Sequence, residues 1–185
     1  HDHQVLHWMR DAEAVAEVNE RHTNQKYLKD LALPATVSAT TDLASVGKTC
    51  RTILLVVPSQ SLRSVVAGLG DHLDGGHVLI HGVKGFEQGT FKRMSAIIRE
   101  ETCVRKIGVL SGPNLAREVA EGQPSAMVIA SKYPEVIASA RGALAGPSFR
   151  VYGNSDVIGT EVGGALKNIL AIASGMAVGL GAEVT

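Results

Sequence analysis

Short runs of β-branched and aliphatic residues recur along the chain with helix-like stretches between most of them, and this alternation constrains the fold more than any other feature. The runs are QVLHW, ATVSAT, TILLVV, HVLIHG, KIGVL, SAMVIA and FRVY. The intervening segments are DAEAVAEVNERH, SQSLRSVVAGLG, QGTFKRMSAIIREE, NLAREVAEG and PEVIASARGALA. Strand and helix alternating almost from end to end imply βαβ units and a mainly parallel sheet. Several runs are unbroken in aliphatic character, as strands are when helices cover both faces. The expected class is α/β, a doubly wound sheet.

The pattern changes at Asn154. The tripeptide NSD supplies capping residues for a helix start, and a long helical stretch follows instead of another strand. A boundary near Gly153 divides the chain into residues 1–153 and the first helix of a second, helical domain, residues 154–185. In that helix Val162, Leu166, Ile169, Ala173 and Met176 form one apolar stripe, widened by Ala165 and Ile172, so the helix is expected to be buried. Gly164, Asn168, Ala171 and Gly175 form a second stripe that admits close approach of a backbone or a ligand.

Lys167 sits beside that stripe, and two readings stand. Its stem could lie along apolar surface with the ammonium in water. Alternatively the ammonium is desolvated, its pKa lowered, and it exchanges a proton as an acid or base near neutral pH.

Bulk properties narrow the partner. In 185 residues, eighteen basic and eighteen acidic side chains cancel, which gives no electrostatic case for nucleic acid or an anionic membrane. A small-molecule substrate is expected. Cys50 and Cys103 are too few and too far apart for a disulfide framework and fit a reducing compartment. No apolar run reaches the roughly 20 residues that span a bilayer without interruption by Lys or repeated Gly. His1, His3 and His7 near the start suggest a frayed terminus, and no metal site is expected.

In a wound parallel sheet ligands bind outside the carboxyl ends of the strands. The segments there are Met9-Arg10-Asp11 after QVLHW, Pro58-Ser59-Gln60 after TILLVV, Lys84-Gly85 after HVLIHGV, and SGPN, residues 111–114, after KIGVL. SGPN is expected to open a helix, with Asn114 as its cap. Each has an ordinary alternative: an exposed arginine, a strand-ending proline, a loop lysine, a simple helix cap. Their shared edge favours a binding site.

The blocks HWMRD, VVPSQSLR, VKGFE, LSGPNLAREVAEGQPSAMVIAS, FRVY and SDVIGTEVGGALKNILAIASGMAVGLG resemble NAD(P)-dependent glycerol-3-phosphate dehydrogenases of the bacterial and plastid type over nearly the whole chain. The resemblance implies a Rossmann-like nucleotide domain followed by the start of an all-helical domain. It implies interconversion of sn-glycerol 3-phosphate and dihydroxyacetone phosphate with NAD or NADP, feeding glycerophospholipid synthesis. Lys167 matches the catalytic lysine that exchanges the hydroxyl proton, and Asn168 the asparagine that holds substrate and lysine in register. Lys84 matches a lysine touching both cofactor and substrate. Gly112 and Asn114 match substrate-contacting positions, and Ala116 a cofactor-contacting one. Arg10 matches the position that meets the adenosine ribose, and an arginine there leans toward the 2′-phosphate of NADP. Pro58 joins Arg10, Lys84 and Ala116 as a cofactor-edge candidate.

The chain also departs from the family. No G-x-G-x-x-G occurs in it, and it stops short of the Arg-Asn pair that grips the substrate phosphate. The resemblance therefore implies an interior fragment whose function is that of its parent. HGVKG places His81 near the cofactor edge where the family has other residues, and SGPN has Asn where bacterial members usually have Ser or Thr. Two rivals remain: a related 3-hydroxyacid or 6-phosphogluconate type of dehydrogenase, and a noncatalytic nucleotide-binding remnant. A cytoplasmic location is expected, or the plastid stroma for a plant-type source, and homodimerisation stays open. The apolar end of the last helix is expected to drive association unless a further helical domain covers it.

Overall fold

The computed structural model describes residues 3–181; His1 and Asp2 of the HDH run and residues 182–185 of the tail lie outside the described residues. All seven aliphatic runs form strands: β1 Val5–Trp8, β4 Val37–Thr40, β5 Thr52–Leu55, β6 Val78–His81, β7 Lys106–Ser111, β8 Ser125–Ala130 and β9 Phe149–Asn154. A small antiparallel hairpin, β2 Thr23–Asn24 with β3 Leu28–Ala32, was not expected; its sequence is too polar to carry a two-residue alternation.

Helices fill the gaps: α1 Ala12–Arg21, α2 Leu43–Thr49, α3 Leu62–Gly70, α4 Met94–Glu101, α5 Ala116–Ala120, α6 Pro134–Leu144 and α7 Val157–Gly179. Their starts follow local chemistry. Asp11 and Asp42 accept backbone N–H groups of α1 and α2, Pro134 opens α6 where its missing N–H costs nothing, and Asp156 caps α7 through Gly159 N. Only the second half of QGTFKRMSAIIREE is helical. The first half folds back, with Phe91 at φ 55° and Phe86 bridged to Arg93.

The main sheet has five strands in the order β5-β6-β7-β8-β9, parallel throughout except for an antiparallel β7–β8 pair. β1 and β4 form a separate parallel pair, so the ladder is interrupted between β1 and β5. Both pieces share one core, since Leu6 and Trp8 of β1 pack against the cluster of Leu55, Leu62, Leu69, Leu79 and Ile97. Each of the fully buried aliphatic side chains there contributes about 2 kcal/mol by leaving water.

The reversal at β8 decides where α7 runs. Because β8 is antiparallel to β7, β9 ends at Asn154 opposite Ala130, which is itself paired with Val109 in the middle of β7. Val157, at the start of α7, packs with Val109 and Ala130. Gly164 then lies on Ser111, the last residue of β7, leaving only 3.0 Å between an added Cβ and the Ser111 hydroxyl. The helix thus climbs β7 from its middle to its carboxyl end. At about 1.5 Å per residue, Lys167 is carried about 15 Å from Val157, past the end of the strand.

Candidate active site

The segments after β5, β6 and β7 lie at one end of three neighbouring parallel strands, while the segment after β1 belongs to the separate β1–β4 pair. Arg10 follows β1 and is exposed, next to the α1 cap Asp11. Pro58, also exposed, follows β5 and precedes a 3₁₀ turn at Ser59–Ser61. That turn is tied to the loop after β6: Gln60 Nε2 donates to Phe86 O at 3.1 Å, and Gln88 N donates to Gln60 Oε1 at 3.0 Å. Gly85 faces Ser59 at φ 124°, a backbone conformation that only glycine adopts without strain. The Pro58 turn and the Lys84 loop are therefore one unit.

Gly112, just past β7, is held against β8. An added Cβ would stand 2.7 Å from Ala126 O and 2.9 Å from Met127 Cβ. Asn114 does not cap the following helix, as the sequence suggested. The residue preceding α5 is Leu115, which has no side-chain cap, and Asn114 is turned inward with Oδ1 buried and unpartnered. The helix begins one residue later than the sequence suggested, which leaves Asn114 ahead of the cap position. Ala116 is the exposed first residue of α5. A groove of about 360 Å³ lies between Ser111, Gly112, Val128, Asn154, Thr160 and Gly164; Lys84 and Lys167 are not part of its wall.

Lys84 and Lys167, from different elements, meet within hydrogen-bonding and electrostatic reach. Partial burial, then the positive charge and hydrogen bond of Lys167, hold the Lys84 pKa below its usual value. The expected surroundings of Lys167 need correction. Its helix was expected to be buried, yet Lys167 and Asn168 are exposed, as are Ile169 at 62%, Ile172 at 64% and Met176 at 67%. The reason is topological. Only the first two turns of α7 lie over the sheet, and among the described residues no element packs on the remainder. Periodicity reports an apolar face; it does not supply the surface that covers it. By length and a mean hydropathy of 1.4 over 18 residues, α7 is also long and apolar enough to cross a bilayer, Lys167 notwithstanding.

One buried cluster was missed from the sequence. Glu161, in the second turn of α7, accepts hydrogen bonds from Ser95 N at 2.8 Å and Ser95 Oγ at 2.7 Å, and it pairs with Arg93. His81 Nε2 stands 3.3 Å from Glu161 Oε1 but is not aligned as a hydrogen bond, so both ring nitrogens of this fully buried histidine lack such a partner. Burial opposes ionisation of Glu161, but His81 and the two Ser95 donors outweigh it and hold the carboxyl at about 2. His81 therefore lies beneath α7 and not at the cofactor edge where HGVKG seemed to place it. The available signal was a single acidic residue heading an otherwise apolar helix.

Two family models cover the chain. That for the NAD-dependent glycerol-3-phosphate dehydrogenase N-terminus matches residues 1–137, and that for the C-terminus matches residues 156–184. A glycerol-3-phosphate dehydrogenase [NAD(P)+] of Pseudomonas fluorescens strain Pf0-1 is 44% identical over 96% of the chain and 50% of its own length. One from Corynebacterium diphtheriae is 46% identical over 96% and 54%. The chain spans about half the length of these curated relatives. Among solved structures, the glycerol-3-phosphate dehydrogenase of Coxiella burnetii superposes with a TM-score of 0.86 at 34% identity, covering 96% of this chain and 54% of the other. That of Plasmodium falciparum gives 0.90 at 31% identity, covering 98% and 52%. A ketopantoate reductase of Ralstonia eutropha, at 15% identity, TM-score 0.59 and coverage of 86% and 51%, shares the fold alone.

Proposed function

Because the chain belongs to the NAD-dependent glycerol-3-phosphate dehydrogenase family, we propose that its parent protein interconverts sn-glycerol 3-phosphate and dihydroxyacetone phosphate by hydride transfer with NAD or NADP. The division near Gly153, with a nucleotide-binding part before it and the opening of a helical domain after it, belongs to the same reading. What supports it most is the meeting of Lys84, from the loop after β6, with Lys167, from α7.

The residues at this edge suit a dinucleotide. The inward Asn114 Oδ1 is an unused acceptor, and Lys84 and Arg10 are exposed cations on the loops after β6 and β1. The nicotinamide ring, when bound, exchanges a hydride with C2 of the substrate. In the oxidative direction the C2 hydride departs with its electron pair, the C2–O bond becomes a carbonyl, and the hydroxyl proton passes to Lys167 Nζ. In the reductive direction Lys167 returns that proton to the carbonyl oxygen. Lys84 holds the oxygen on which charge develops, and Asn168 orients substrate against Lys167. Partial burial first, and then the nearby charge of Lys167, make Lys84 release its proton below the usual lysine range. Arg10 favours the 2′-phosphate of NADP. In a cytoplasmic or stromal setting, the glycerol 3-phosphate formed would feed glycerophospholipid synthesis.

Lys167→Met in the full-length protein tests the assignment. We expect kcat for dihydroxyacetone phosphate reduction to fall about 10²- to 10⁴-fold with NADPH binding, followed by its fluorescence, unchanged. Full turnover by the variant would refute the acid–base role.

A further inference from the structure

We propose that Glu161 is a positioning residue for this reaction: its carboxylate clamps the second turn of α7 to the start of α4 and so fixes the height and rotation at which Lys167 meets Lys84. The inference rests on the reading of Lys167 and Lys84 given above.

Several contacts hold α7 in place, among them a hydrogen bond from Asn154 Nδ2 of β9 to Thr160 Oγ1 at 3.3 Å. Val157 packs into a small cluster with Val109 and Ala130, Gly164 lies on Ser111, and Glu161 lies between them in sequence. Those of Val157 and Gly164 are short, non-directional van der Waals contacts, and they allow the helix to roll about its axis or slide along β7. The carboxylate contact is directional. Both of its oxygens are engaged, Oε1 by Ser95 N and Oε2 by Ser95 Oγ and Arg93. The charged or titratable groups facing it are Arg93 from the segment opening α4 and His81 from the end of β6.

The side chain of Glu161 is only 5% exposed. An ionised carboxylate that deep is tolerated only while paired, so a small displacement of α7 would strip it of its donors. The contact therefore permits one seating of the helix. Beyond it α7 continues as one unbroken helix: Lys167 lies six residues further on, about 9 Å along the axis, and a roll at Glu161 is carried to the ammonium. His81 completes the arrangement from the other side. It stands three residues before Lys84 on the same strand-loop segment, so one carboxylate touches both segments that bear the lysines.

The test uses Glu161→Gln, with Ser95→Ala as a milder second variant that removes one donor and leaves every charge in place. In the full-length enzyme we expect Glu161→Gln to lower kcat by about tenfold or more, while KM for NAD(P)H stays within about twofold, because misplacement affects the chemical step and not the loops after β1 and β5. Ser95→Ala is expected to move kcat in the same direction by a smaller factor. Independently of turnover, a short amine-reactive cross-linker read by mass spectrometry should join Lys84 to Lys167 in the wild-type chain and do so much less in Glu161→Gln, with cross-links among lysines outside α7 unchanged. If the wild type has no dehydrogenase activity but the cross-link behaves as described, the clamp stands and the proposed reaction falls. An undiminished cross-link, or an undiminished kcat in an active enzyme, overturns the positioning role. Should Glu161→Gln fail to fold, Ser95→Ala decides by the same two measurements, and no change in either overturns the proposal.

Discussion

Replacing Glu161 by Gln should make the stability difference between the two proteins depend on pH, and the structure sets its size. The carboxyl titrates at about 2 in the folded chain against an ordinary 4.5. At about 1.4 kcal/mol per unit the difference has a ceiling of about 3 kcal/mol, reduced to about 2 kcal/mol by solvent screening. The sign follows from proton binding. The folded value lies below the unfolded one, so the unfolded chain binds the extra proton first. The stabilisation is then complete above about pH 4.5 and is lost as pH falls toward 2. Urea unfolding can be followed through Trp8, the single tryptophan, which packs against the main core. Wild type should exceed the variant by about 2 kcal/mol at pH 7, with the gap closing steadily below pH 4.5. Asp74 and Glu87 also titrate near 2, but they are present in both proteins and cancel in the difference. A gap that stays constant from pH 7 to pH 3 would refute the reasoning, because it would trace the loss to packing and not to the ionised carboxylate.

Two further expectations concern the edge of the sheet. Gly112→Ala places a methyl 2.7 Å from Ala126 O, and since a backbone carbonyl cannot swing aside, the variant should lose about 1–3 kcal/mol of stability in urea together with substrate affinity. Arg10→Ala should lower kcat/KM with NADPH about tenfold or more and change it little with NADH, and equal losses with both would remove Arg10 from the 2′-phosphate.

The order of strands and helices was legible in the chain because it depends on local periodicity. Runs such as TILLVV and HVLIHG have only one sensible partner environment, and Asp11, Asp42 and Asp156 announce helix starts through hydrogen bonds a few residues away. Lys84, Gly112 and Lys167 could be singled out for the same reason, each being an unusual residue next to a readable strand or helix. Tertiary structure decided the rest. The antiparallel turn of β8 sends α7 up β7 and delivers Lys167 to Lys84, a matter of strand direction that no local pattern encodes. It also places Glu161 over Ser95 and His81, residues 66 and 80 positions away along the chain. Whether an apolar stripe is covered, or an acid finds its donors, depends on which distant surfaces the fold brings together, and neither periodicity nor spacing contains that information.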